Sequence, residues 1–130
     1  MFASLFVLLY LSHLVADYVL QTDHQASRKA DPGRAGWSAD LAHAATHAAV
    51  TALVLGVGAL ALHGGPGVVP ETLAVVSIAA THAVIDRRWP IRWLMMRTGQ
   101  SGFYKAGGAA HVDQVAHVTV LVTAALALAR

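Results

Sequence analysis

Four long apolar stretches, separated by short polar ones, make up most of this chain. They cover about 2–20, 41–62, 69–85 and 109–129. Each approaches the roughly 20 residues that a helix needs to cross a bilayer. The third is the shortest, which sets Asp86 near an interface. Between the third and fourth, Trp89, Pro90, Ile91, Trp93, Leu94, Met95 and Met96 interleave with Arg92 and Arg97. That mixture predicts a short helix lying in the membrane surface. The following run, TGQSGFYKAGG, is glycine-rich and reads as a flexible loop. The pattern as a whole predicts an all-α polytopic membrane protein, with residues 1–130 as one four-helix bundle plus the interfacial helix. The first stretch lacks a basic leader and carries His13 and Asp17, so it reads as a retained span rather than a signal segment.

Polar residues interrupt the apolar stretches in a regular way. His13 and Asp17, His43 and His47, His82 and Asp86, and Asp113 and His117 are each four apart. Four residues is about one helical turn, so each pair projects from one face. A charged carboxylate at mid-membrane costs roughly 3 kcal/mol on insertion scales. Something must offset that cost, and a bound metal is the simplest account.

Charge orients the spans. Eight of the nine Lys and Arg residues fall in two connections: Arg28, Lys29 and Arg34 in one, and Arg87, Arg88, Arg92, Arg97 and Lys105 in the other. The intervening connection, HGGPGVVP, has none. The positive-inside rule makes the basic connections cytoplasmic and puts both termini outside. All four polar pairs then lie at one depth, in the cytoplasmic half. The outer halves, such as VTALVLGVGALAL, are almost wholly apolar. Ala48, Ala52 and Gly56, spaced by four, would allow close helix approach.

Composition narrows the chemistry. The chain is 56% hydrophobic and only 12% charged, with a net charge of +2, too little to suggest nucleic acid as a partner. There is no cysteine, which excludes thiolate sites and disulfides. Five histidines and three aspartates remain as ligands: His13, Asp17, His43, His47, His82, Asp86, Asp113 and His117. They suffice for one or two divalent ions, with zinc the best fit and manganese or iron the alternatives. One of Asp17, Asp86 and Asp113 would bridge the metals or act as the general base. Gln21, Gln114 and Asp40 stand where they would support the ligands. Arg87, Arg88 and Arg92 are candidates to hold an anionic lipid headgroup or a small phosphoester.

These ordered motifs, HLVADYVLQ, HAATH, HAVID and VDQVAH, resemble the small bacterial and phage membrane proteins grouped as domain of unknown function 3307. The resemblance covers nearly the whole chain, matches at His13, Asp17, Gln21, His47, His82, Asp86, Asp113, Gln114 and His117, and is weakest at His43. It implies no activity. More distantly, the arrangement is similar to inner-membrane proteins described as metal-dependent hydrolases, and its His-x-x-x-Asp spacing is similar to that of all-helical zinc phospholipases C.

The expectation is therefore a metal-dependent hydrolase acting at the cytoplasmic leaflet on a phosphoester or lipid-like substrate. An ion or proton transporter, a non-enzymatic membrane protein with a structural metal, and a His-rich di-iron oxidoreductase are the alternatives. The partner in every case is the bilayer, and self-association is compatible with all of them. Topology is testable first. Single cysteines near Arg28 and Arg97 should label from the cytoplasm, and one at Gly65 only from outside. Cytoplasmic labelling at 65 would reverse the orientation.

Overall fold

The computed structural model describes Met1–Arg130 and contains helices and no strands. Helix α1 spans Phe2–Leu14 and widens into a π-helical turn over Val15–Val19. A six-residue helix α2, Asp23–Arg28, follows. Helices α3, Gly33–Ala61, and α4, Val68–Asp86, are the next long elements. Helix α5 is Trp89–Arg97, and a single turn α6, Ser101–Phe103, leads through a π turn over Tyr104–Gly108 into α7, Ala109–Leu128. Four helical stretches are long and apolar enough to cross a membrane: 2–19, 33–61, 68–86 and 101–128. The expected all-α membrane architecture, with a short helix between the third and fourth spans, is what the chain forms.

Local signals explain the boundaries. Thr22 and Gln25 close a reciprocal capping box on α2, which satisfies two helix-end donors. Extended Pro32 precedes α3, and Pro70 occupies the first turn of α4, where its missing N–H is harmless. Two segments differ from expectation. Helix α3 begins at Gly33, well before the apolar run, because no proline interrupts the residues between Pro32 and Leu41. Hydropathy detects the membrane-facing part of a helix, not its polar extension. The stretch from Ser101 is helical as well. Its departure from helical conformation is at Gly107, whose φ of 88° kinks the chain into α7.

The long helices form a closed ring. Helix α1 packs on α3 and α7, and α4 packs on the same two, so α1 and α4 face each other diagonally. One end of the ring is filled by Leu5, Leu9, Leu55, Ile78, Leu121, Ala125 and Leu128. Val7, Leu11, Leu53, Val57, Leu60, Leu73, Val76 and Leu126 are exposed on the outside. Helices apolar on the outside as well as the inside suit a lipid environment. The interior is the unusual part: of 25 buried residues, nine are polar, and six of those are His or Asp from the four-apart pairs. Ser12 and Thr51, whose hydroxyls are 3.2 Å apart, are buried next to the first of these histidines.

Close helix approach occurs at Gly58 rather than along Ala48, Ala52 and Gly56. A Cβ at Gly58 would collide with the Leu8 side chain, whereas one at Gly56 would meet open space. Ala52 and Gly56 are exposed, so that stripe faces outward. Gly58→Leu should therefore lose about 1–3 kcal/mol of stability through overpacking. Gly56→Leu should lose none. Thermal unfolding of both variants in detergent checks the contrast.

Candidate metal centre

Each long helix delivers ligand-type side chains to the basic end of the ring. Asp17 lies in the π turn that ends α1, whose i→i+5 bond is recorded by Leu20 N–H donating to the Val15 carbonyl at 3.0 Å. Such turns add a residue to one helical turn and recur at functional sites. From there the Asp17 carboxylate faces four histidines on three helices. Its Oδ1 is 3.1 Å from Nε2 of both His43 and His47 and 3.7 Å from that of His82. Its Oδ2 is 3.2 Å from His13 Nε2. Asp86, at the end of α4, faces a second set. Its Oδ2 is 3.0 Å from His82 Nε2 and 3.5 Å from His43 Nε2, and its Oδ1 is 3.9 Å from His117 Nε2.

The rings pack as one block. His47 and His82 have centroids 3.6 Å apart, His82 and His117 4.4 Å, and His43 and His47 4.7 Å. Two ligand groups result, Asp17–His43–His47–His82 and His82–Asp86–His117, in each of which the ligand atoms lie within 4.8 Å of one another. Both groups use His82, so they are neighbouring positions of one centre.

Two observations bear on whether these residues fit a metal. The first is hydrogen bonding. His13 Nε2, His82 Nε2 and His117 Nε2 are buried without a hydrogen-bond partner, although each lies within 4 Å of a carboxylate oxygen. Buried polar atoms are nearly always paired. Atoms that converge without hydrogen-bond geometry are placed as ligands are placed around a common point. A tetrahedral ion with bonds of 2.0–2.1 Å separates its donors by about 3.3 Å. The second is charge. Asp17, Asp40, Asp86 and Asp113 bring four carboxylates to this end, more than Lys29, Arg87 and Arg88 offset, and that excess of negative charge suits a cation.

The supporting residues sort by position. Asp113 belongs to neither ligand group. Its Oδ2 is 3.3 Å from His117 Nδ1, and that nitrogen also lies 3.0 Å from the Asp113 carbonyl. The carboxyl thus fixes the ring so that Nε2 points inward, the familiar way a carboxylate orients a metal-binding histidine. The Gln21 amide lies 2.7 Å from His43 Nε2, and Gln114 approaches the His13 ring. Asp40 is wholly buried one turn before His43, and both of its oxygens lack a partner. His24, His63 and His111 are exposed and outside the cluster.

The three arginines separate. Arg87 donates to the carbonyls of Lys29 and Asp31, each at 2.6 Å, and lies 4.5 Å over the Trp37 ring. It ties the end of α4 to the α2–α3 turn. Arg92 is exposed on α5. Arg88 lines a cavity of about 550 Å³ together with Lys29, Asp86, Tyr104 and Asp113. Sequence does not single out Lys29, yet its Nζ lies 2.7 Å from Asp86 Oδ2. Nothing local to Lys29 signals a partner 57 residues away.

Fold and site together define a four-helix membrane protein with a buried His/Asp centre able to hold a metal ion. The chain belongs to the family described as protein of unknown function DUF3307, which it matches over residues 5–130. No curated protein and no solved structure proves similar to it.

Metal content checks the centre directly. Gently purified protein should carry one to two transition-metal ions per chain. His47→Ala and His82→Ala should each lower that content, because both rings belong to the ligand groups. Chelation should lower the melting temperature, since an ion held at 1,000 times its dissociation constant contributes about 4 kcal/mol. Metal-free protein indifferent to chelators would leave only buried ion pairs.

Proposed function

We propose that this protein is a metal-dependent hydrolase, with zinc as its ion, that cleaves an ester substrate at the cytoplasmic membrane face. The observation that carries this reading is the cavity at the basic end. It reaches Asp86, a member of a ligand group, and Asp113, which orients His117. A structural metal site is normally closed by four protein ligands, whereas a catalytic one keeps a position open. A bound divalent ion lowers the pKa of water and polarises the ester oxygen.

The chain's own residues supply the rest. His43, His47 and Asp17 fix the inner side of the centre, and His82 joins it to Asp86. Asp113 is a quarter exposed and lines the cavity, so its free oxygen is the carboxylate best placed to take a proton from an attacking water. Hydrolysis then bonds the water oxygen to the ester centre, breaks the ester bond and releases the alcohol with a proton. The leucine-filled core at the other end separates the centre from the opposite face. That seal argues against an ion pathway through a single chain.

The test is hydrolysis of phosphoester and carboxylester substrates in nanodiscs with added zinc or manganese. His82→Ala and Asp86→Ala should lose bound metal and turnover together. Asp113→Asn should keep most of the metal and lose about 100-fold or more in turnover, the usual effect of removing a general base. Absence of turnover on every class, with metal firmly bound, would favour a structural ion.

A further inference from the structure

The cavity at the basic end holds more than access to the metal centre. Its lining combines Lys29 from the α2–α3 turn, Arg88 from the α4–α5 corner and Tyr104 from the π turn before α7. Ile91, Ala109 and Ala110 supply apolar wall. The carboxylates at its inner side already have partners: Asp86 faces Lys29 and His82, and Asp113 faces His117. Arg88 is exposed and has no ion pair or hydrogen-bonded side-chain partner. A guanidinium and a phenol at one mouth, beside a lysine, suit a tetrahedral oxyanion, which Arg can bind through two parallel N–H groups.

The backbone supplies an independent reason. Arg88 has φ 62° and ψ −25°, a left-handed conformation that is strained for any residue with a Cβ. Glycine or asparagine would turn this corner with less strain. Non-glycine residues held in this region cluster at functional sites. Of the two such residues in this chain, His63 lies in an exposed loop, whereas Arg88 lines the cavity two places beyond Asp86.

We propose that Lys29, Arg88 and Tyr104 form a phosphate-recognition site, which holds the anionic group of the substrate beside the Asp86 end of the centre. The assignment rests on the hydrolytic reading only for the word substrate; the anion site itself is a binding claim. It commits the substrate class to a phosphoester, carried either by a lipid or by a soluble molecule. The cavity, about 550 Å³, is large enough for a phosphorylated headgroup.

The experiment is calorimetric titration of the zinc-loaded full chain in phosphatidylcholine nanodiscs. The probes are inorganic phosphate, glycerol 3-phosphate and dihexanoyl phosphatidic acid. Arg88→Gly and Arg88→Asn should bind each effective probe at least about tenfold more weakly, as expected for losing a hydrogen bond to a charged group. Both variants fit the left-handed corner, so their melting temperatures should equal or exceed that of the parent. Tyr104→Phe should weaken binding several-fold, and Arg34→Gln, outside the cavity, should change nothing. Binding of all three probes identifies the phosphate itself as the ligand. Binding of phosphatidic acid alone identifies a lipid source. No binding of any probe, or binding indifferent to Arg88, overturns the proposal. Arg88-dependent binding without turnover would strike the hydrolytic reading and leave this site standing. Turnover with phosphate binding indifferent to Arg88 would do the reverse.

Discussion

The bundle is organised around carboxylates held where water is scarce. Asp17 and Asp86 are largely buried inside helices whose outer faces are apolar. An uncompensated carboxylate there would strongly disfavour insertion and packing. Each long helix contributes to the compensation. His13 comes from α1, His43 and His47 from α3, His82 from α4 and His117 from α7. Lys29 comes from the turn between α2 and α3 to complete the set around Asp86. Removing any one helix would take away part of this compensation, so the centre links the four helices in addition to their apolar contacts.

The two ends of the ring divide the work. At one end Leu5, Leu9, Leu55, Ile78, Leu121 and Leu128 give ordinary side-chain packing. At the other, packing is subordinate to the placement of nitrogens and oxygens. The Ser12 hydroxyl donates to the Leu9 carbonyl and also meets Thr51, so each of its contacts is local to the buried interior. The polar end also holds both departures from regular α-helix within the long spans, whereas the His63–Gly67 irregularity at the other end belongs to a plain connecting loop. Both π turns, the Gly107 kink and the left-handed Arg88 lie at the polar end. Regular helix suffices to fill space; placing a functional group often requires departing from it.

Much of this is legible in the sequence because it depends on short-range spacing. Residues four apart on an apolar helix share a face, so the pairs His13–Asp17 and His82–Asp86 can be read without any fold, and both make the expected close approach. The common depth of the pairs follows from charge asymmetry between connections. The features that are not legible depend on tertiary placement. Hydropathy carries no indication that Lys29 reaches Asp86, since the two meet only through tertiary packing, in which Arg87 bonds the carbonyls of Lys29 and Asp31. Helical spacing also groups Asp113 with the ligands, whereas its side chain lies on the outer nitrogen of His117. The small-residue stripe fails for a similar reason. Spacing by four identifies a helix face, but only the neighbouring helix decides whether Gly56 or Gly58 is on the inside.

Asp86, Arg87 and Arg88 are consecutive, yet each serves a different neighbour. Asp86 turns inward to the imidazoles, Arg87 grips the backbone at Lys29 and Asp31, and Arg88 opens towards the cavity. Along a helix each added residue rotates the rest of the chain by about 100°. An insertion or deletion of one residue just before this corner would therefore misdirect three groups at once, while a substitution disturbs only one. The α4–α5 junction is thus more sensitive to a change of length than to any single substitution. It behaves as a gauge block between the membrane-embedded centre and its mouth.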